Sequence, residues 1–185
     1  MEVCYGFNFS AILQSDLSLL IDWLTSETWP YHSNPQPTPE EIREVFEKGV
    51  YNNSTSCKTF WIILDNDKRT GLIRLYDLQD STPLFDIRIL SVYRGKGIGE
   101  RATNWTTNYI FTTWPDKRRI EGYTRQDNLV MRRVFQKCGY VKEACHRKAW
   151  PSQDGKYFDA IGYGILREDW KQKKITPLNW DDVGF

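Results

Sequence analysis

The sequence feature that most constrains the fold is a glycine-rich turn between an apolar run and an amphipathic helix. The run at 84–92 passes directly into Arg94, Gly95, Lys96, Gly97, Ile98 and Gly99. Glycines allow a tight turn whose N–H groups converge, and the N-terminus of the following helix adds partial positive charge. The segment therefore predicts a phosphate site. The plainer alternative is a turn that serves packing alone.

Apolar residues after this turn recur every three or four positions, which predicts a helix with one buried face. They are Ile98, Ala102, Trp105, Tyr109 and Ile110. Two familiar phosphate motifs do not fit: a P-loop requires Gly-Lys-Ser/Thr, and a dinucleotide fingerprint requires Gly-x-Gly-x-x-Gly at the first strand of a parallel unit. The turn belongs to another kind of site.

The rest of the chain predicts one α/β domain of the α+β type over 1–185, with 168–185 as a C-terminal tail of no clear period. The element order is β-α-α-β-β-β-α-β-α-β-β. The predicted strands are 4–12, 59–64, 71–78, 84–92, 120–125, 141–150 and 157–166. The predicted helices are 17–24, 38–49, 98–114 and 129–137.

Local signals mark several of these boundaries. Thr38 followed by Pro39 and Glu41 is typical of a capping box at a helix start, and Asp127 or Asn128 is a candidate cap for the last helix. Asp154-Gly155 predicts a hairpin between the last two strands.

Composition excludes several classes of protein. Hydrophobic residues make up 40% of the chain, and Lys+Arg 25 against Asp+Glu 24 leaves a formal charge of +1. Such a balance gives no field for nucleic acid or an acidic membrane, and no apolar run approaches the ~20 residues of a membrane span. We expect a cytoplasmic protein with no nucleic acid partner and no membrane partner.

Cysteine and histidine usage predicts no metal site. Cys4, Cys57, Cys138 and Cys145 form no Cys-x-x-Cys pair, and the chain has only two histidines. A zinc site needs four ligands at recognisable spacing. We expect the four cysteines to be free thiols, with Cys138 as a small buried apolar residue.

At the glycine turn the sequence resembles the GNAT superfamily of acetyl-CoA-dependent N-acetyltransferases. The signature of that family, Arg/Gln-x-x-Gly-x-Gly/Ala after the fourth strand, is matched completely by 94–99. The predicted element order is also that of the family, and 128–140, an asparagine followed by a helix ending in Lys-Cys-Gly-Tyr, is similar to its second region. The resemblance implies a mixed, mostly antiparallel sheet, flanked by helices and splayed between strands four and five.

The resemblance also implies a site for acetyl-CoA as cosubstrate. The amides of 94–99 would hold the pyrophosphate, Ile89 and Leu90 would pair with the pantetheine arm, and Asn128 would bond that arm from the other side. The sequence departs from the family at Phe135, where many members have a tyrosine that protonates the CoA thiolate, and at Met131, which replaces a small residue. The usual general acid is missing.

Two carboxylates are candidates for removing a proton from the attacking amine. Asp86 lies in the apolar strand that enters the glycine turn, and Glu121 lies on the next strand. A buried acid needs a polar partner or a task. For Asp86 the alternative is an ion pair with Arg88 or Arg74, and for Glu121 alternation alone leaves its face of the sheet open.

A proline-rich loop between the first two helices supplies candidates for binding the acceptor. Trp29, Tyr31 and His32 lie there, and rings could enclose an amine by stacking or cation–π contact. An ordinary aromatic cluster is the alternative. His32 and His146 are weak candidates for a catalytic base. The candidates for the 3′-phosphate of CoA are Arg118, Arg119, Arg132 and Arg133.

These observations lead to one hypothesis and its rivals. We expect an N-acetyltransferase, a monomer or homodimer, that transfers an acetyl group to a primary amine of a small molecule or a protein N-terminus. Within the family it is most similar to enzymes of ribosomal-protein N-termini, with a weaker likeness to aminoglycoside 6′-acetyltransferases at 16–24. The alternatives are a non-catalytic acyl-CoA-binding sensor and a nucleotide-binding protein without thioester chemistry.

Overall fold

Strands and helices alternate in this chain largely where the hydrophobic period changes from two to about 3.6. A computed structural model describes residues 7–53, 55–64 and 67–179. The strands are β1 (Asn8–Ala11), β2 (Lys58–Leu64), β3 (Lys68–Tyr76), β4 (Leu84–Ile89), β5 (Arg119–Arg125), β6 (Val141–Pro151) and β7 (Tyr157–Leu166). The helices are α1 (Leu17–Thr25), α2 (Pro39–Glu47), α3 (Ile98–Thr113), α4 (Leu129–Lys137) and α5 (Arg167–Gln172).

The seven strands form one sheet in the order β1-β2-β3-β4-β5-β7-β6. Every neighbouring pair is antiparallel except β4 and β5, which run parallel and share a single registered pair, Leu84 with Glu121. Next to this pair, the Glu121 N–H donates to the Pro83 carbonyl at 3.0 Å. Because no ladder continues from there, the two strands separate toward their carboxyl ends. The mixed, mostly antiparallel, splayed sheet is confirmed.

Each face of the sheet is covered by its own hydrophobic core. On one face, Leu20 and Trp23 of α1 and Ile42 of α2 pack with Trp61 and Leu72. On the other face the core joins α3 and α4 to the strands and includes Phe85, Ile98, Ile110, Phe135 and Ile161. Alternate residues of β2 and β3 therefore serve opposite cores, as strand geometry requires.

The predicted helix caps are confirmed. Thr38 Oγ1 accepts from the Glu41 N–H at 3.2 Å, and Glu41 Oε2 accepts from the Thr38 N–H at 2.9 Å, which is a complete capping box. Asn128, rather than Asp127, caps α4, and its Oδ1 accepts from the Met131 N–H. These short-range bonds satisfy helix donors that would otherwise lack partners.

Some boundaries differ from the sequence prediction. Strand β4 ends at Ile89, because residues 91–93 form a 3₁₀ turn instead of continuing the strand, and β3 begins at Lys68 rather than Gly71. The first strand is described only as Asn8–Ala11, and the predicted part at 4–6, with Cys4, lies outside the described residues. No helix within the described part of the chain is long and apolar enough to cross a membrane.

The predicted tail contains one more helix, α5, which hydrophobic periodicity did not reveal. The Arg167 guanidinium donates to three backbone carbonyls, those of Phe111, Trp114 and Lys117. Asp169 is buried and accepts from the Thr176 hydroxyl. Tertiary hydrogen bonds of this kind fix a short helix without an apolar stripe.

Gly122→Ala is expected to destabilise the protein by ~1–3 kcal/mol, because a Cβ atom there would lie 2.5 Å from Phe135 Cζ in a packed core. Thermal and urea unfolding would measure the loss. Gly99→Ala is the matched control, since its Cβ would meet Ile89 and Val134 at an ordinary 3.5 Å. Equal stability of the two variants would contradict this packing.

Candidate active site

The splay between β4 and β5 opens a cleft along the glycine turn. A cavity of about 480 Å³ lies there. Its lining includes Ile89, Arg94, Gly95, Gly97, Ile98, Gly99 and Asn128, seven of the nine residues predicted for the cofactor. Leu90 and Lys96 do not line it: Leu90 packs against the core under α1, and the Lys96 ammonium lies 5.4 Å from the Tyr93 ring centroid.

The glycine turn leaves open space where an anion would bind. Gly95 and Gly97 both have φ of +76°, and a Cβ built on either would meet nothing within 4 Å. Gly97 is the N-cap of the 16-residue α3, and no side chain caps it. Several N–H groups at the start of α3 therefore lack side-chain partners, and the helix dipole adds positive potential. The turn fits a pyrophosphate.

The Arg94 side chain anchors the glycine turn to β4 and to the segment after α1. Its Nε donates to the Ile89 carbonyl at 2.8 Å, and its Nη2 lies 2.5 Å from Glu27 Oε1. Glu27 also accepts from the Ser91 N–H at 2.8 Å. One carboxylate thus ties the end of α1 to the start of the turn. Glu27 was missed by sequence reasoning, because only the fold places it there.

Asn128 lies between the two arms of the splay. Its Nδ2 donates to Thr124 Oγ1 at 3.0 Å while its Oδ1 caps α4. Of the four arginines predicted as candidates for the 3′-phosphate, Arg133 lines the cleft, together with Lys137. The other three arginines bond elsewhere in the fold.

A second cavity of about 420 Å³ adjoins the first on the side of the proline-rich loop. The two share six lining residues: Tyr31, His32, Ile87, Arg88, Asn128 and Met131. A ligand in one would therefore reach a ligand in the other. We refer to the first as the cofactor cavity and the second as the acceptor cavity.

Asp86 and His32 are in direct contact at this junction. His32 Nδ1 lies 3.2 Å from Asp86 Oδ1, and Arg88 Nε lies 3.7 Å from Asp86 Oδ2. Burial works to raise the pKa of Asp86, but His32, Arg88 and Arg74 together hold that pKa well below its ordinary value. The carboxylate is therefore ionised at neutral pH and is a poor proton acceptor. Its contact with Nδ1 leaves His32 Nε2 as the basic nitrogen.

Glu121 lines neither cavity. Its Oε1 lies 2.9 Å from Arg119 Nη2, and its Oε2 accepts from the Tyr123 hydroxyl at 3.2 Å. Arg119 also pairs with Glu143. The structure thus places Glu121 in an ion-pair cluster with these neighbours and does not bring it together with Asp86.

The proline-rich loop spans the splay. Trp29 is 1% exposed, stacks on Trp23 at 4.9 Å and donates from Nε1 to the Leu24 carbonyl, so it is a core residue whose edge reaches the cofactor cavity. Tyr31 lies under the Arg125 guanidinium at 4.9 Å, and Arg125 also donates to the Pro30 carbonyl. His32 of the loop contacts Asp86 on β4, and Arg125 on β5 contacts the loop at Pro30 and Tyr31. The loop is therefore held by both arms of the cleft.

Phe135 is a buried ring at the position of the missing tyrosine. It is 1% exposed and stacks on Tyr163 at 4.7 Å, with Tyr140 5.3 Å away. The Tyr140 hydroxyl bonds Thr107 at 2.7 Å, and burial raises its pKa far above the ordinary value. The Tyr140 hydroxyl is therefore not poised to give up a proton.

The described cysteines are free thiols. Cys138 is buried, and burial raises the pKa of its thiol to about 11, whereas Cys145 is exposed. Within residues 7–53, 55–64 and 67–179 no group of three or more His, Cys, Asp or Glu side chains is placed to hold a metal ion.

Comparison with known proteins establishes the class of this one. The model of the acetyltransferase (GNAT) domain family matches residues 8–141. The chain belongs to the GNAT acetyltransferase family, as the resemblance at its glycine turn and in its element order implied. It is an N-acetyltransferase that uses acetyl-CoA. A search of curated sequences found no match.

Solved structures with the same fold include spermidine N-acetyltransferases from Vibrio cholerae. A chimera of SpeG and hSSAT has a TM-score of 0.77 at 21% identity, covering 89% of this chain and 98% of its own. SpeG in complex with CoA and spermine has a TM-score of 0.74 at 20% identity, covering 89% and 98%. A SpeG structure described as dodecameric has a TM-score of 0.73 at 20% identity, covering 90% and 97%. At such identities the likeness concerns the fold.

Proposed function

We propose that this acetyltransferase acts on a primary amine of a small molecule in a ternary complex. Acetyl-CoA would lie along β4 with its pyrophosphate at the glycine turn, and the acceptor would occupy the cavity beneath the proline-rich loop. The amine nitrogen attacks the thioester carbonyl, and the carbon–sulfur bond then breaks to release the CoA thiolate. The observation that carries this proposal is the junction of the two cavities at His32.

The proton on the amine is the first obstacle to this attack. An alkyl ammonium with a pKa near ~10 is mostly unreactive at neutral pH, so a base must take up its proton. We assign that role to His32 Nε2. Asp86 is then a positioning residue, because it holds Nδ1 and stays ionised. Glu121 has no place in this scheme, since it lines neither cavity.

The departing thiolate needs no protein acid in this scheme. A thiol with an ordinary pKa near ~8.5 leaves readily as thiolate and takes a proton from solvent afterwards. We therefore expect Phe135→Tyr to change kcat by less than about tenfold, although a positioned acid is typically worth ~10²- to 10⁴-fold where proton transfer limits the rate.

Phe135→Tyr should also lower the melting temperature, because the ring is buried and a hydroxyl there needs a new partner. Steady-state kinetics and thermal unfolding measure the two effects separately. A rise in kcat of tenfold or more would show that an acid is lacking and that our scheme is incomplete.

Release of CoA thiol tests the activity. The protein is incubated with acetyl-CoA and a panel of amines, including small amino compounds, peptides with ribosomal-protein N-termini, an aminoglycoside and spermidine. Repeated turnover with a small amine is the expected result. Stoichiometric binding without release above background would mean an acyl-CoA sensor, and equal affinity for ATP and CoA would mean a nucleotide-binding protein.

The alternative acceptor amines come from the sequence resemblance alone. A protein N-terminus, as in the ribosomal-protein subgroup, and an aminoglycoside are the other acceptors that the sequence suggested, and turnover confined to either would replace our small-molecule proposal. We further propose a cytoplasmic monomer or homodimer. Sedimentation would reveal a larger assembly.

A further inference from the structure

Two arginines line the acceptor cavity beside a single carboxylate, Asp86. Arg74 on β3 lies directly opposite Asp86 on β4 in the antiparallel register, and Arg88 follows two residues after Asp86. All three side chains line the acceptor cavity. Side chains directly opposite or two residues apart share one face of a sheet, so the two guanidinium groups flank Asp86.

The single negative charge of Asp86 does not balance the positive charges that surround it. Asp86 Oδ1 faces His32, and its Oδ2 lies 3.7 Å from Arg88 Nε. Among the described residues, no carboxylate lies within 4.0 Å of Arg74. The other acid in the lining, Glu41, uses its Oε2 to accept from the Thr38 N–H and from Asn34. The positive charge around Asp86 is therefore only partly neutralised.

Both guanidinium groups lie against aromatic rings, and in the described ranges only Arg88 also has an ion-pair partner, Asp86. Arg74 lies 4.8 Å from the Tyr76 ring centroid, and Arg88 lies 5.4 Å from that of Trp29. Within the described part of the chain, Arg74 Nε and Arg88 Nη1 are buried and have no hydrogen-bond partner. Burying such groups unpaired costs free energy, and an anion bound to other nitrogens of the same guanidinium groups would offset the positive charge that Asp86 leaves. The rings fix the cations in place for that anion.

We propose that the acceptor carries a carboxylate close to its amine, and that Arg74 and Arg88 bind this carboxylate. Arginine matches a carboxylate with two parallel hydrogen bonds, which gives both orientation and affinity. With the acid held by the arginines, the amine points toward His32 at the junction with the cofactor cavity. An amino acid or a similarly small amino carboxylate fits the volume of about 420 Å³.

The same charges disfavour a polyamine. Spermidine would bring further ammonium groups against Arg74 and Arg88, and like charges in a partly buried site repel. The acceptor named for the structural neighbours is therefore not the one that this cavity selects. The inference rests on the proposed small-amine acetylation and names the acceptor class.

Matched pairs of ligands test the inference by binding and by turnover. Each common α-amino acid, and ω-amino acids of two to six carbons, is titrated into the complex with CoA beside its carboxamide. The same pairs, and spermidine, are then assayed with acetyl-CoA. We expect at least one acid to bind and react about 100-fold better than its amide, the difference that a lost bidentate contact to a charge produces.

Variants then locate the effect. Arg74→Gln should raise Kd and KM for the preferred acid at least about tenfold and leave those of its amide unchanged. Arg74→Lys, which keeps the charge, should recover part of the preference and guards against misfolding. Arg69→Gln is the matched control: Arg69 also lies on β3, stacks on a ring, Trp61, and has a buried unpartnered Nε, yet it lines neither cavity.

The outcomes separate the two proposals. Tight binding of an acid over its amide without turnover of any amine would overturn the acetyl-transfer scheme and keep the carboxylate site. Turnover with amides or spermidine equal to or better than the acids would overturn the carboxylate site and keep the activity. Equal loss of acid preference in Arg69→Gln would also overturn it, and so would failure of every acid to bind.

Discussion

Gly97→Val is expected to weaken acetyl-CoA binding at least about 100-fold, or ~2.7 kcal/mol, while the protein still folds. Gly97 has φ of +76° in the turn before α3, a conformation that β-branched side chains avoid. The added side chain would either project into the open space proposed for the pyrophosphate or turn the amides away from it. Calorimetric titration with acetyl-CoA measures the loss.

Gly155→Val separates this effect from backbone strain. Gly155 has φ of +77°, and a Cβ there also meets nothing within 4 Å, but it lies in the hairpin turn between β6 and β7. Both variants should lose similar stability, on the order of 1–3 kcal/mol, and only Gly97→Val should lose the ligand. Unchanged binding in folded Gly97→Val would remove the glycine turn from the site.

The turn could be recognised from the sequence because its chemistry is local. The glycines directly precede the start of α3, and Asn128 directly precedes α4; each signal acts within a few residues of its own helix start, and the structure has each where it was predicted. Helix α4 and strand β7 begin and end at the predicted residues for the same reason. Helix α5 was not predicted, because the Arg167 side chain that holds it donates hydrogen bonds to carbonyls far away in the sequence.

The residues of the acceptor cavity could not be predicted from local sequence signals. Asp86 and His32 are far apart in the sequence, where Asp86 was a candidate base and His32 only a weak one; the fold brings them to 3.2 Å. Strand alternation gave Asp86 and Glu121 equal standing. What separates them is position: both carboxylates pair with an arginine, but Asp86 lines the acceptor cavity and Glu121 lines neither cavity. The pairing of Arg74 with Asp86 across two strands depends on register, which composition does not reveal.

These contacts make Asp86 testable as a positioning residue. Asp86→Asn should lower kcat, because an amide no longer holds His32 through an ionised partner. In a protein that already carries His32→Gln, the same change should cost little further rate, since residues that act through one another are strongly non-additive. Additive losses would show that Asp86 acts independently of His32.

His32→Gln itself is expected to lower kcat by ~10²- to 10⁴-fold, the usual contribution of a positioned general base. KM for acetyl-CoA should hardly change, because the glycine turn proposed to hold the cofactor is untouched. The pH profile provides the sharper readout: a base that must be neutral makes the rate rise with pH, and the variant should keep only the rise due to deprotonation of the amine itself. His146→Gln is the matched control, since His146 is the other histidine of the chain and lines neither cavity. If folded His32→Gln keeps the wild-type rate and pH profile, solvent rather than His32 takes the proton from the amine. His32 would then be only a contact between the proline-rich loop and β4.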